Sequence, residues 1–506
     1  MNKNWSRRTF LRSTATGLGG ALLASNLAGN AYADEERRER TKNPKFLIVL
    51  SSFGGANLVD SFLAVRESES PTAPVVNAYP DSLVQSFGAF RAIDLKSKTI
   101  GAIPASFTAN QSDFVRKNNQ DMMVTTHTGT SVNHFVAQQR SINGNAAWKG
   151  RTLQEAVALT YGAGYPIPNV HLVNGTGFTE RGTDASMPAY VYGERAPTPN
   201  LWPLSLDGYK GIGNAPSRAL FESARKLRNE RLDPNSAFFK AFGGSPRIKH
   251  WNHIRGEALR GVEAEDLITK LMLFPDSETM PLGAHGLKGS DLGQKVREAF
   301  PNYDFDPLES QAALAFLLLR YGVSVTVTLG PEGGAVFKKG VTLGQSGLGE
   351  GDIVNTPISF DFSHQANREV QALMWDRQLR IADRLISLLK SEEFGDGKSY
   401  WDHSMIYFAT EFGRTRKRPE NAMTFGTGHD LNNGSLIVSP FANGGKVLGG
   451  VDRSTLLTYG FDPESGQPNT GRTMQEAEIY SGIAHALGVD TSGSGLPDVR
   501  AMRRTA

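Results

Sequence analysis

Residues 45–62 read KFLIVLSSFGGANLVDSF, and this stretch decides the fold. Phe46–Leu50 is an unbroken apolar run, which is typical of a β-strand that is buried on both faces. Gly54 and Gly55 then break the run and indicate a loop, and Asp60 follows them. A buried strand that ends in a glycine loop with a polar group indicates a strand-to-loop edge of an α/β sheet.

Later segments repeat this strand-then-loop pattern and place helices between the strands. Strands are predicted at Met122–Thr125, Val323–Leu329, 358–360, 404–410 and 434–439, and helices are predicted from about Asn133, up to Leu319 and over about 366–390. Helices that alternate with apolar strands favour a parallel sheet. We therefore expect an α/β fold of three layers, in which a mainly parallel sheet is flanked by helices.

The domain organisation follows from where this pattern weakens. Residues 45–506 are interpreted as one α/β domain with a loop-rich insertion or cap at about 162–304, where Pro, Gly and Asn are frequent. A second glycine-rich stretch, residues 330–352, is interpreted as a loop or hairpin.

The N-terminus is typical of an export signal. Paired Arg7 and Arg8 precede a short Gly/Ala/Leu segment and a small-residue cleavage site at 31–33. Residues 1–33 are therefore interpreted as a twin-arginine signal peptide and residues 34–44 as a charged linker. We expect the twin-arginine translocase as a partner during export, a periplasmic or extracellular location, and no stable membrane span. A retained anchor is the alternative, but polar residues interrupt the apolar segment.

Charge and composition exclude several classes of function. Without the four basic residues of the signal, the chain has 50 basic and 51 acidic residues, so nothing in the net charge favours nucleic acid. The chain has no cysteine, which excludes disulfides, thiolate metal sites and a cysteine nucleophile. A metal ion would therefore bind to His, Asp, Glu or hydroxyl groups.

Polar side chains cluster just after the predicted strands, where open α/β sheets bind ligands. They are Asp60; Thr128, Thr130, Ser131 and His134; Asp361 and His364; Glu411 and Arg414; and His429 and Asp430. Carboxylates and imidazoles suit a divalent cation such as zinc, manganese or magnesium. A hydroxyl beside such an ion can act as a nucleophile. The set predicts metal-assisted ester hydrolysis.

Each group also has a structural interpretation. Asp60 could cap a helix, and the Thr/Ser run could be the N-cap of the helix that follows. Asp361 and His364 could only orient a loop, and Glu411 could form an internal salt bridge with Arg414. The remaining histidines are interpreted as structural or surface residues. Serine-hydrolase and nucleotide-binding functions are disfavoured, because Ser346 lacks a preceding strand and no phosphate-binding glycine loop follows a strand.

Several segments together resemble the bacterial domain-of-unknown-function 1501 family. They are TEFGRT (410–415), GTGHD (426–430), NGGKVLGG (443–450), FGGANLVDSF (53–62), SVNHFVAQQRSING (131–144), FDFSHQANREVQ (360–371) and EIYSGIAHALGVD (478–490). The resemblance implies an alkaline-phosphatase-like fold. That superfamily includes phosphatases, phosphodiesterases and sulfatases with a two-metal site and a Ser, Thr or modified Cys nucleophile.

The sequence also departs from the family pattern. The order Gly428-His429-Asp430 replaces Asp-His-Gly, two residues separate Asp361 from His364 where the family usually has one, and Glu411-Phe412 stands where catalytic members of the superfamily have Asp-His. We therefore expect one divalent ion (Zn, Mn or Mg) or none.

The leading expectation is an exported, metal-dependent hydrolase of phosphate or sulfate esters that acts on a small anionic ester or glycan. Its nucleophile would be Thr128, Thr130 or Ser131. Catalysis would also involve His134, with Arg414 stabilising an oxyanion. The metal-ligand candidates are Asp60, Asp361, His364, Glu411, His429 and Asp430. The alternative is a non-catalytic envelope protein with a degenerate phosphatase-like fold that binds a polyanionic or glycan ligand or an assembly partner.

Overall fold

The structure is a computed structural model of the chain. It describes residues 43–173, 175–196, 198–200, 202–203, 218–253, 271–273, 287, 290–331, 336–337, 353–355 and 359–504. The predicted signal peptide, almost all of the charged linker and most of the stretch 330–352 lie outside these residues. Within the described ranges, no helix combines the length and the apolar character that crossing a membrane requires.

An eight-stranded sheet forms the centre of the described chain. In chain order its strands are β1 (Phe46–Ser52), β2 (Met122–Thr128), β3 (Asn169–His171), β4 (Glu194–Arg195), β5 (Thr326–Leu329), β6 (Ser404–Thr410), β7 (Asn432–Val438) and β8 (Lys446–Leu448). Their spatial order is β8-β2-β7-β6-β1-β5-β3-β4. Every residue of β1, β6 and β7 is buried, so both faces of the sheet are covered.

The sheet is parallel except for one strand. β1 pairs in parallel with β6 and β5, β3 with β5 and β4, and β8 with β2. β7 is antiparallel to both of its neighbours, β6 and β2. The prediction of a mainly parallel sheet is confirmed. Because β7 is reversed, its first residue lies at the edge where the other strands end.

Among the described residues, seven α-helices lie outside the region 201–289 and surround the core. They are α1 (Gln111–Asn118), α2 (His134–Asn143), α3 (Leu153–Tyr161), α4 (Asp291–Ala299), α5 (Pro307–Arg320), α6 (Asn367–Ser391) and α7 (Glu476–Ala486). The hydroxyl of Tyr407 in β6 donates to the carbonyl of Ser141 in α2, whereas the next residue, Phe408, packs against Trp375 of α6. Successive residues of a strand point to opposite faces, so α2 and α6 cover the two sides of the sheet.

Part of the predicted insertion belongs to the core. β3 and β4 lie within 162–304, yet both are strands of the central sheet. Within the same region the structure also has short helices at Arg218–Leu227, Asp233–Asn235, Ala237–Phe242 and Pro246–His253. The two strands are only three and two residues long, which is too short for a periodic pattern to reveal them.

Smaller sheets extend from the central one. Val84–Phe87, Phe90–Ile100 and Ile103–Asn110 form an antiparallel sheet, and Gly450–Val451, Thr458–Phe461 and Pro468–Asn469 form another. Two-residue strands at Gly413–Arg414 and His429–Asp430 pair with each other. The predicted strand at 358–360 is not found in the described residues, since Phe360–His364 forms a 3₁₀ helix capped by Ser359, whose hydroxyl accepts from the Asp361 amide.

Candidate metal centre

Three connections bring histidines and an aspartate to one edge of the sheet. His134 is the first residue of α2, shortly after β2 ends, and the side chain of Asn133 caps this helix. Asp361 and His364 come from the 3₁₀ helix that precedes α6. His429 precedes β7, which starts at this edge because it runs antiparallel to its neighbours. Side chains from distant parts of the sequence therefore meet.

Asp361 lies at the centre of the four side chains, which we call the His/Asp cluster: His134, Asp361, His364 and His429. Its Oδ1 atom is 3.4 Å from His134 Nε2, 3.4 Å from His364 Nε2 and 3.7 Å from His429 Nε2. The two Nε2 atoms of His364 and His429 are 3.0 Å apart. Donor atoms of His134, Asp361 and His429 all lie within 4.8 Å of one another.

Groups behind two of the histidines direct their Nε2 atoms into the cluster. His134 Nδ1 lies 3.0 Å from Glu411 Oε2, and His429 Nδ1 lies 2.9 Å from the carbonyl oxygen of Val132. Both of these oxygens only accept, so each Nδ1 donates and each neutral ring keeps its lone pair on Nε2. This hydrogen bonding behind the ring is typical of histidine metal ligands.

The donor set fits a divalent transition metal. Two imidazoles and one carboxylate, with His364 beside them, suit zinc, manganese or iron better than magnesium, which prefers oxygen ligands. The side chains of His134, Asp361 and His429 are 32%, 39% and 21% exposed, so the cluster is half-buried and open to water or a small ligand. The His134, Asp361 and His429 group can hold one metal ion.

Glu411, a predicted metal ligand, lies behind His134. Its Oε1 accepts hydrogen bonds from the amides of Gly54 and Gly55, the second at 2.8 Å. Its Oε2 accepts from His134 Nδ1 and from Gln138 Nε2 at 2.9 Å. The side chain is completely buried, and its contact with the cluster is this bond to the Nδ1 side of His134.

Arg414, predicted to stabilise an oxyanion, holds the backbone around Asp361. Its side chain is completely buried and donates to the carbonyl oxygens of Gly54, Gly55 and Phe360. It also lies 3.3 Å from Asp361 Oδ1. Glu411 and Arg414 thus bind the amides and the carbonyls of the same glycine loop, and no ion pair joins them among the described contacts.

The charges within the cluster favour an ionised Asp361. The hydrogen bond from His134 holds the pKa of Asp361 well below its usual range, against the effect of burial, and the charges of His134, Arg414 and His364 act in the same direction. Burial disfavours the charged form of His134, but Asp361 and Glu411 outweigh it and raise its pKa to about 9. Burial lowers the pKa of His429, helped by the nearby Arg414 and His134.

Asp60 belongs to a separate buried network. Its carboxylate accepts from Asn57 at 2.7 Å, Asn367 at 3.1 Å and the Tyr79 hydroxyl at 3.1 Å, and also from Asn77. Burial raises its pKa although these hydrogen bonds oppose the rise. Among the described contacts, no hydrogen bond or ion pair joins Asp60 to the cluster.

The other predicted site residues have partners elsewhere. The amide of Thr128 donates to Met474 O, Thr130 Oγ1 donates to Glu476 at 2.6 Å, and Ser131 Oγ accepts from the Asn133 amide. Asp430 accepts from the Asn432 amide and lies 3.4 Å from Arg416. Within the described part of the chain, no hydrogen bond or ion pair joins any of these four side chains to the cluster.

Residues that were not predicted complete the surroundings of the cluster. Gln138 follows His134 by four residues on α2, and this spacing places both on one helix face toward Glu411. The ring of Phe412 stacks on His429 with centroids 4.0 Å apart, and Phe53 lies 5.5 Å from His134. The helical spacing could have identified Gln138, whereas the aromatic contacts depend on the tertiary fold.

Comparison of this chain with protein-family models, with curated proteins and with solved structures gave no match.

Proposed function

We propose that this protein is an exported metal-dependent hydrolase of phosphate or sulfate esters, with one divalent ion at the His/Asp cluster. The observation that carries the proposal is the orientation of His134 and His429. Their Nε2 atoms face Asp361, while their Nδ1 atoms are hydrogen-bonded to Glu411 and to the carbonyl oxygen of Val132. The resemblance of the sequence to the domain-of-unknown-function 1501 family supports an alkaline-phosphatase-like fold. It also supports an ester as the substrate.

In the proposed reaction, the chain supplies ligands and position rather than a nucleophile. His134, Asp361 and His429 would hold the ion, with His364 as an additional ligand. A divalent cation in such a site supplies Lewis acidity, which acidifies water and polarises an ester oxygen. Since the hydroxyls of Thr130 and Ser131 have other partners and no hydrogen bond joins Thr128 to the cluster among the described contacts, water is the proposed nucleophile.

The start of α2 supports an anionic substrate. His134 is the first residue of this ten-residue helix, so the positive end of the helix dipole lies at the cluster. Arg414 donates to three carbonyl oxygens through Nε and Nη2, and its Nη1 lies 3.3 Å from His364 Nε2, so the guanidinium also brings positive charge to the cluster. We propose a small ester with a phosphoryl or sulfuryl group as the substrate, in the periplasm or outside the cell after twin-arginine export.

Metal content and turnover of the purified protein test the proposal together. The wild-type protein is expected to contain close to one equivalent of zinc, manganese or iron and to hydrolyse an aryl phosphate, phosphodiester or sulfate. His429→Ala is expected to lose both the metal and the turnover, because it removes a ligand. His485→Ala, a change in α7 away from the cluster, is the matched control. Wild-type protein with neither metal nor turnover would rule the hydrolase out.

A non-catalytic envelope protein is the second candidate, in which the same fold binds a polyanionic or glycan ligand or an assembly partner. The observation that favours it is that Thr130, Ser131 and Arg414 are engaged in other hydrogen bonds. Metal binding without turnover on any ester, together with retention of a polyanion or glycan by the wild-type protein, would support this function.

A further inference from the structure

Glu411 is the centre of a buried hydrogen-bond set that links three segments of the chain. The amides of Gly54 and Gly55 donate to its Oε1, and His134 Nδ1 and Gln138 Nε2 donate to its Oε2. A carboxylate has about four lone-pair positions, and each of them has a donor here. Glu411 therefore acts on the cluster through His134 and not as a ligand.

We propose that Glu411 is the positioning residue that fixes the ring tautomer of His134, and thereby makes Nε2 of His134 the atom that binds the ion. The inference deepens the proposed function and rests on the same metal site. It concerns a step that precedes catalysis, because the hydrogen bond between His134 Nδ1 and Glu411 is present in the metal-free protein.

The hydrogen-bond partners favour one direction for this contact. A neutral imidazole has a single N–H, and a carboxylate can only accept. Glu411 Oε2 lies 3.0 Å from Nδ1, whereas Asp361 Oδ1 lies farther from Nε2, at 3.4 Å, so the shorter contact favours the proton on Nδ1. Gln138 cannot replace the carboxylate as acceptor, because its Oε1 accepts from the Gly177 amide at 2.7 Å and its amide nitrogen faces Glu411. The two glycine amides hold the other carboxylate oxygen, so the carboxylate cannot rotate away from His134.

The Glu411→Gln substitution tests this direction. Gln keeps one oxygen for the amides of Gly54 and Gly55 but presents an NH₂ group to His134, so Nδ1 must accept and the proton moves to Nε2. We expect the affinity for zinc or Co²⁺ to fall by about 10- to 100-fold, the usual effect of losing such a partner. In ¹⁵N-histidine NMR spectra of metal-free protein, recorded above the His134 pKa of about 9 so that the ring is neutral, the protonated nitrogen of His134 is expected to change from Nδ1 to Nε2. The His134 signals are assigned by their loss in His134→Asn.

A double variant separates positioning from a purely structural role. In Glu411→Gln with Gln138→Glu, the new amide at 411 donates to the new carboxylate at 138, which restores both the buried charge and the hydrogen bond. We expect this variant to recover the stability that Glu411→Gln loses but not the metal affinity, because the group that faces His134 still donates. Recovery of both would show that Glu411 only stabilises the fold and would overturn the inference.

The NMR measurement keeps this inference distinct from the proposed function. If wild-type protein binds metal but hydrolyses no ester, the hydrolase fails while the affinity and tautomer results still decide the role of Glu411. If wild-type protein binds no metal, the tautomer of His134 alone decides it. An unchanged tautomer in Glu411→Gln would overturn the inference in either case.

Discussion

His127 in β2 is a histidine that the fold keeps neutral. It is 6% exposed, and within the described chain its Nδ1 has no hydrogen-bond partner. Burial lowers its pKa to about 4. In the unfolded chain the same residue binds a proton below about pH 6.5. The unfolded state therefore takes up a proton over a pH range in which the folded state does not, and acid favours unfolding.

We predict that His127 makes the protein sensitive to acid. Its contribution is fully present above the unfolded pKa of about 6.5 and is lost as the pH falls toward the folded pKa of about 4. Relative to His127→Leu, the wild-type protein should lose about 2 kcal/mol of unfolding free energy between about pH 7.5 and about pH 5. Urea unfolding of both proteins across this range measures the difference. Two parallel stability curves would contradict the prediction.

For individual residues, the sequence indicated which side chains lie near the cluster better than it indicated what each of them does there. Asp361, His364 and His429 were predicted to converge because each follows a predicted strand. They do lie together, although a 3₁₀ helix carries the first two. The role of Glu411 depends on which donors face each oxygen, and those donors come from Gly54, Gly55 and α2. Such contacts are set by the tertiary fold and leave no local signal.

The loop of Gly54 and Gly55 after β1 contacts both Glu411 and Arg414 and so positions the residues around the cluster. Gly54 has a φ of +98°, and a Cβ atom there would lie 2.9 Å from Cα of Asp361. Its amide donates to Glu411 and its carbonyl accepts from Arg414. The loop has no room for a side chain, since it packs directly against the backbone of the 3₁₀ helix that supplies Asp361.

We predict that Gly54→Ala disrupts both the fold and the metal site. The substitution adds backbone strain and a close contact with Asp361, which together should cost at least about 3 kcal/mol. Gly88→Ala is the matched control, because Gly88 also has a positive φ (+60°) but has open space around it. The control should lose only about 1 to 2 kcal/mol and retain metal. Urea unfolding and metal analysis of both variants measure this, and equal losses would contradict the prediction.

Strands were easier to predict than their directions. β1, β6 and β7 are buried along their whole length, and each overlaps a strand that the sequence indicated. The antiparallel direction of β7 was not predicted, because a buried strand has the same apolar pattern whichever way it runs. Of the predicted strand at 358–360, residue 358 lies outside the described residues, Ser359 is an N-cap, and Phe360 begins a 3₁₀ helix.

For the whole molecule, the proposed ion would connect segments that are far apart in sequence. His134 lies at the start of α2, Asp361 in the 3₁₀ helix before α6, and His429 in the short strand before β7. An ion that binds only the folded arrangement stabilises it by mass action. The unfolded chain has no preformed site, so metal binding and folding are coupled.

We predict that metal raises the unfolding temperature of the protein. At a free metal concentration of about 100 times the dissociation constant, the gain in unfolding free energy is about 2.7 kcal/mol. Thermal unfolding of metal-loaded and chelator-treated protein, followed by circular dichroism, measures the shift. His429→Ala should show little difference between the two conditions, and a wild-type protein with identical curves would contradict the prediction.

The reversed direction of β7 has a consequence for the order in which the chain assembles. Because β7 returns directly from β6, the pairing of Arg414 with His429 is local and closes a short loop. The glycine loop after β1 and the segment that carries Asp361 must arrive from distant positions, and such contacts form slowly. A refolding chain therefore forms the β6–β7 hairpin first and brings the remaining metal ligands together last. Binding of the metal ion should then occur only at the end of folding.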